Sequence, residues 1–399
     1  VDYGRVYGGR YNLLKKAYRA SNIATDGDYQ RFVSENADWL IDYALFMAVK
    51  DANGGNSFIQ WPEDIRFRRP EAVERCKEEY KEEVEFYCFI QYMFFKQWGA
   101  LKAYANERGV EIVGDIPIYV AYDSADVWTH PELFYLDAEL NPVKVAGCPP
   151  DAFSEDGQLW GNPLYKWDYH KETGYKWWKD RIAACNKLYN MIRIDHFRGF
   201  DEYYTIPFGD TTARNGEWVK GPGIDLFAEL NREFGEMNII AEDLGFITDT
   251  VRELLAYTKF PGMKVLQFGC YVDSDSEYLP YNYTNNCVVY TGTHDNDTVM
   301  GWYKELADDA KEFTREFLMC QDESKINEAM IIAALESVAD HCIIPAQDYL
   351  GLGTEARVNM PSTVGNNWKW RLRKDAFTPE LVAKLAKWAK LYGRNNNVK

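Results

Sequence analysis

No apolar run in this 399-residue chain approaches the ~20 residues that a membrane-spanning helix requires, and no secretory leader is expected. Positive charge is scarce as well: 45 Lys and Arg face 62 Asp and Glu, for a formal net charge of −17. Phosphate binding needs clustered Lys and Arg, so this balance argues against nucleic acid as a partner. With no spanning run, no membrane partner is expected either. The eight cysteines form no CxxC pair and no Cys/His finger spacing, which speaks against a structural zinc and a disulfide framework. Several sit inside apolar runs, where a thiol is a small hydrophobe, and a reducing cytoplasm is the expected compartment.

What the chain does have is a large apolar share, 46% of residues, enough for one large domain or two ordinary ones. Aromatics reach 16%, and many lie in Gly/Pro/Asn-rich stretches rather than periodic ones. Any single ring of this kind commonly packs a core or an interface. As a loop-borne set, they suit flat platforms that stack on sugars or bases.

Residues 26–109 read as helices. SENADWLIDYALFMAVK places a Ser N-cap candidate before a helical period, and the stretch from Pro70 to Gly109 opens on Pro and closes on Gly. Six strand-like runs follow, at 110–120, 191–194, 238–241, 264–268, 287–290 and 342–345. Most are separated by helical patterns, such as TDTVRELLAYTKF and residues 308–339, and this alternation predicts an α/β fold of parallel βαβ units. A closed (β/α)8 barrel needs eight strands. The two others are expected before Val1 or hidden in the helical region. Between the first two strands runs an insertion, 122–177, rich in turn-formers and aromatics; loops this long are usually functional.

Three of the apolar runs end in acid. MIRIDHFRGF delivers Arg193, Asp195 and His196; NIIAEDLG ends on Glu242 and Asp243; CVVYTGTHDND ends on His294, Asp295 and Asp297. Buried strands that finish in charge usually present it to a site at their C-terminal ends, so carboxylates from separate strands are expected in one pocket. Two carboxylates suit glycoside cleavage, one attacking the anomeric carbon and the other protonating the departing oxygen. The nucleophile must stay ionised beside cations or donors, whereas the acid must hold its proton through burial or a neighbouring negative charge. Asp195 fits the first role, because Arg193 sits two residues earlier on the same strand face. Glu242 fits the second. Asp295 suits hydrogen bonds to sugar hydroxyls in the oxocarbenium-like state, and His196 and His294 are neutral donors for hydroxyls. Asp243 points the other way along its strand and is expected to cap the following helix.

Other readings use the same residues. An Asp-His pair after a strand is commonly a cap or a salt bridge. Barrels that bind Mg²⁺ also present acids at strand ends and abstract a proton beside a carboxylate, but they need a Lys or His base at another strand end. Lys264 starts its strand instead. A non-catalytic glucan-binding scaffold would use the acids only to hold hydroxyls.

Beyond these patterns, GDIPIYVAYDSADVW, AGCPPDAFSEDGQLWGNPLY, IRIDHFRGF, AEDLG, FPGMKVLQF, YLPYNY, VVYTGTHDND and QDYLGLGTEARVNMPSTVGNNWKWR closely resemble the 4-α-glucanotransferases, the amylomaltases or disproportionating enzymes related to α-amylases. The resemblance runs in order across almost the whole chain. It implies a TIM (β/α)8 barrel of α-amylase type, a single catalytic domain over 1–399 with a helical insertion at 26–109 and a loop at 122–177 covering the active site. It implies transfer of an α-1,4-glucan segment from a maltooligosaccharide or glucan to the 4-hydroxyl of glucose or another glucan. By the same resemblance Asp195 is the nucleophile, Glu242 the general acid/base and Asp295 the transition-state stabiliser. Arg193, His196, His294, Asp151, Phe153, Trp160, Asn162, Pro280 and Asn282 are the implied substrate contacts. No organic cofactor and no catalytic metal is implied. Ala152 stands where many relatives carry Tyr, and Tyr281 where His is frequent. Relatives also carry a longer N-terminal stretch with the first barrel strands, so the sequence is expected to be incomplete there. The nearest alternative is a glucan hydrolase using the same three acids.

Overall fold

The computed structural model describes residues 1–150, 154–245, 247–271 and 275–394. The chain divides into two compact units, one of Tyr3–Ile239 with Asp249–Thr258, the other of Val1–Asp2, Ile240–Thr248 and Lys259–Lys399. Ten strands are present among the described residues: β1 (Val113–Pro117), β2 (Lys144–Cys148), β3 (Gln158–Pro163), β4 (Met191–Asp195), β5 (Glu202–Pro207), β6 (Glu217–Lys220), β7 (Ile239–Ala241), β8 (Gly262–Val265), β9 (Cys287–Tyr290) and β10 (His341–Ile343).

The first unit opens on an unforeseen helix, Tyr3–Ala20, followed by the helical layer expected at 26–109. Asp26 starts the helix Gly27–Glu35, its carboxylate accepting the backbone N–H groups of Asp28 at 2.8 Å and Tyr29 at 3.2 Å. Capping of this kind satisfies donors that a helix start leaves orphaned. Ser34 is therefore no cap: it lies inside this helix, and the next one, Ala37–Ala52, begins after Asn36. The single long helix expected from Pro70 is two, Pro70–Glu79 and Lys81–Asn106, broken at Tyr80. Leu40, Ala44, Phe86, Tyr87, Cys88, Phe89 and Tyr92 form their common core, each large side chain worth roughly 1.5–3 kcal/mol of burial.

β1 and β4 then pair in parallel, with β7 next in order, as the βαβ pattern predicts. The 122–177 insertion departs from expectation. It is no open loop, because it supplies β2 and β3 to a four-stranded antiparallel sheet of order β3-β2-β5-β6. Gly147 is needed there: an added Cβ would collide with the Gln158 carbonyl and the Ile206 side chain. β5 went unforeseen because EYYTIP is buried at four consecutive positions and so lacks the alternation that marks a half-buried strand.

In the second unit β8, β9 and β10 are all parallel, β9 in the middle. Leu266, Val289, Val299, Ile326 and Met330 pack as one core beneath them. The strand expected at 264–268 ends sooner, at Val265, and Leu266–Gly269 turns into a short helix. The six expected strands are all present, and the fold is α/β. Among the described residues no helix is long and apolar enough to cross a membrane.

Candidate active site

In the first unit the chemistry is concentrated at the end of β4. The parallel register sets Asp115 of β1 beside Arg193 and Pro117 beside Asp195. Residues i and i+2 of a strand share a face, so Arg193 and Asp195 point the same way. One guanidinium nitrogen of Arg193, Nη1, donates to both carboxylate oxygens of Asp115 at 2.7 Å. The other, Nη2, lies 2.9 Å from Oδ1 of Asp195. The arginine side chain is only 9% exposed, whereas that of Asp195 is 47% exposed. A buried fixed cation thus steadies a carboxylate that remains open to a ligand, and charge-assisted pairs of this geometry are the strong ones.

His196 follows in the left-handed region, φ 56°. Its ring and that of Trp160 form a T-shaped pair, centroids 4.8 Å apart and planes at 87°. Gly199 completes the turn because an added Cβ would sit 2.9 Å from the His196 ring and 3.0 Å from Ile118. Burial, reinforced by the Arg198 charge, pushes the His196 pKa down to about 3, so the imidazole is neutral. Trp160, on β3, donates its indole N–H to Gln158 at 3.1 Å. The Asn162 side-chain nitrogen donates to the Val120 carbonyl at 2.8 Å, fastening β3 to the segment after β1. At the turn between β2 and β3, Arg214 pairs with Glu155 at 2.9 Å and Asp156 at 2.7 Å. Asp151 and Phe153, with Ala152, lie outside the described residues.

In the second unit Glu242 follows β7 directly, and its Oε1 accepts the Leu244 N–H at 3.0 Å. Asp243 does not cap a helix. Its carboxylate accepts the Met263 N–H of β8 at 2.6 Å, tying the end of β7 to the next strand. It also occupies the space where Gly262 would carry a Cβ. Burial is the main cause that raises its pKa. Close by, Lys264 pairs with Glu277 at 2.6 Å and lies 5.5 Å from the centre of the Tyr278 ring. Burial, then the negative charge of Glu277, pushes Tyr278 up to about 12. Pro280 and Asn282 stand on the short turn Pro280–Asn282, and the Asn282 amide donates to the Ser276 carbonyl at 2.9 Å. Tyr281 between them is 60% exposed.

After β9 the chain enters THDND, an irregular loop built on its own side chains. Asn296 accepts from the Thr293 N–H and hydroxyl, both at 2.9 Å. Buried Asp348 accepts from the Thr291 hydroxyl at 2.6 Å and the Val299 N–H at 2.8 Å, fixing the loop at both ends. His294 Nε2 lies 3.4 Å from one oxygen of Asp295. The other oxygen accepts the Asn359 amide at 2.6 Å, and Arg357 donates to the Asp295 backbone carbonyl at 2.7 Å. The Trp368 ring packs on His294 at 5.2 Å.

The structure therefore groups Arg193, Asp195, His196, Trp160 and Asn162 in the first unit and Glu242, Pro280, Asn282, His294 and Asp295 in the second. Sequence reasoning did not single out Asp115, Asp348, Arg357, Asn359 or Trp368. Asp115 left a signal, a lone acid inside the apolar run VEIVGDIPIYV, since a charge within a strand needs a partner. Residues 357–368 are irregular, and no periodicity marks them.

Known proteins resemble this chain over its whole length. The family profile described as 4-alpha-glucanotransferase matches residues 1–377. A 4-alpha-glucanotransferase of Clostridium butyricum is 47% identical over 396 residues, covering 99% of this chain and 81% of that protein. The structure of an amylomaltase from Streptococcus agalactiae in complex with acarbose superposes with a TM-score of 0.95 at 40% identity, covering 99% of this chain and 81% of that one. An amylomaltase from Corynebacterium glutamicum shares the fold, with a TM-score of 0.76 at 19% identity, over 98% of this chain and 59% of its own.

Proposed function

The chain belongs to the 4-alpha-glucanotransferase family of glycosyl-transferring enzymes, and on that premise we propose that Asp195, Glu242 and Asp295 carry a retaining transfer through a covalent glycosyl-enzyme. The observation that supports this most is the ion pair of Arg193 with Asp195, 2.9 Å long, with the arginine buried and the aspartate half-open. A nucleophilic carboxylate needs a cation to keep it ionised and enough exposure to reach the sugar.

Asp195 attacks the anomeric carbon of an α-1,4-glucan, forming a C–O bond as the glycosidic bond breaks. Glu242 gives its proton to the departing O4. The 4-hydroxyl of an incoming glucose or glucan then attacks the same carbon, Glu242 takes its proton, and Asp195 leaves. Asp295 accepts hydrogen bonds from ring hydroxyls that strengthen as positive charge develops. His196, neutral, and His294 donate to hydroxyls, and Trp160 offers an apolar face to a sugar ring. Asn162, Pro280, Asn282, Asp151 and Phe153 complete the proposed set of sugar contacts. Transfer outruns hydrolysis when water is kept from the intermediate and an acceptor is held in its place.

The same reading takes the parallel, acid-tipped strands as parts of an α-amylase-type (β/α)8 barrel, one catalytic domain bearing the 26–109 and 122–177 insertions. It places the enzyme in the cytoplasm, consistent with Cys76, Cys88, Cys185, Cys270 and Cys287 being buried free thiols. Incubation with maltotriose tests the activity: longer oligomers appear together with glucose. Products no longer than maltotriose would mean hydrolysis instead.

A further inference from the structure

Asp295 sits on an irregular loop, where no regular backbone ladder holds it. Its orientation is nevertheless determined several times over by one segment, residues 354–368. The Asn359 amide nitrogen donates to Asp295 Oδ1 at 2.6 Å. Arg357 spans the pair: its Nη2 donates to the Asp295 backbone carbonyl at 2.7 Å, and its Nε donates to the backbone carbonyl of Asn359 itself at 2.8 Å. One planar guanidinium therefore fixes the main chains of both donor and acceptor, in the fork geometry that arginine alone provides. At the near end the Thr354 hydroxyl donates to Asp297 at 2.7 Å, two residues beyond Asp295. At the far end the Trp368 N–H donates to the Val358 carbonyl at 2.7 Å while its ring packs on His294.

The chemistry of position 359 is informative. A neutral amide donor orients one carboxylate oxygen and gives it no proton. The second oxygen, toward His294, stays available, and the Asp295 side chain is 42% exposed. An aspartate here would face Asp295 as a like charge.

We infer that Asn359 is a positioning residue for Asp295, held in register by Arg357, so that one oxygen of the stabilising carboxylate is aimed at the sugar before substrate arrives. This rests on the reading of Asp295 as one of the working acids. Misplacement of a catalytic group by about 1 Å costs on the order of 10²-fold in rate. Asn359→Ala is therefore expected to lower kcat for maltotriose disproportionation by roughly 10–100-fold, with KM changed by less than about threefold. Asn359→Asp, of the same shape, loses at least as much.

A double-mutant cycle separates positioning from general structure. Asp295→Asn and the double variant Asp295→Asn/Asn359→Ala are expected to have the same residual kcat, because Asn359 acts only through Asp295. Full loss multiplying across the two sites would overturn the inference, as would wild-type kcat in Asn359→Asp. Wild-type kcat in Asp295→Asn alone would instead sink the reading of Asp295 itself, a distinguishable failure.

Discussion

Arg193 reaches Asp195 through Nη2, 2.9 Å from Oδ1, while its Nη1 donates to both oxygens of Asp115. One buried cation serves two carboxylates, and only Asp195 stands at the end of its strand. Asp115 fixes the arginine in place, and the arginine fixes the aspartate.

Removing that cation has a defined consequence. Arg193→Met removes the cation that Asp115 and Asp195 share. We expect kcat to fall on the order of 10²–10³-fold, comparable with the loss of one preorganised electrostatic donor. The acid limb of kcat/KM should move to higher pH, since Asp195 then ionises less readily. Asp115→Asn should cost less and move that limb the other way, because the Asp115 charge then no longer competes for Arg193. Steady-state kinetics across pH with maltotriose checks both.

Asp348 offers a test of stability free of the chemistry. It is buried beneath the THDND loop, and burial raises its pKa. A carboxyl raised in the folded state favours folding while protonated, and that contribution is lost as pH climbs above the unfolded value. Asparagine can still accept the Val299 N–H and can donate to the Thr291 oxygen. Asp348→Asn should therefore be neutral or stabilising near pH 7, with its advantage over the parent shrinking as pH falls toward 4. Asp348→Ala strands two buried donors and should cost about 2–4 kcal/mol. Denaturant unfolding of the three proteins at several pH values decides it.

Histidines give the opposite sign. Burial lowers His170 to about 4, and burial with the Arg198 charge lowers His196 to about 3. Both are held neutral in the fold and take up protons more readily when unfolded. Stability should fall as pH drops below about 6.5, the unfolded histidine value. His170→Gln should flatten that decline, and melting temperatures recorded between pH 7 and pH 4 would show it.

What the sequence revealed and what it hid follow from one distinction. The strand before Arg193 and Asp195 is short, apolar and tipped with charge, and both its parallel pairing and the arginine–aspartate contact follow from a period of two. The same held for the runs before Glu242 and Asp295. Asp243 misled because strand alternation gives the direction of a side chain but not its partner, which proved to be the Met263 N–H of the neighbouring strand. Asn359 and Arg357 could not be found at all, since 64 and 62 residues separate them from Asp295 and no regular element connects them. The sheet made from β2, β3, β5 and β6 was hidden for a related reason: its two halves come from separate stretches whose turn-formers read as loop.

Covalent capture of the intermediate is the most direct test. In Glu242→Gln the second step lacks its base, while a maltooligosaccharyl fluoride needs no acid to lose its leaving group. Mass spectrometry of that variant after brief exposure to the fluoride should show one added glycosyl unit, on the peptide that contains Asp195. An adduct on a different carboxylate, or turnover of the fluoride by inversion with no adduct, would contradict the account.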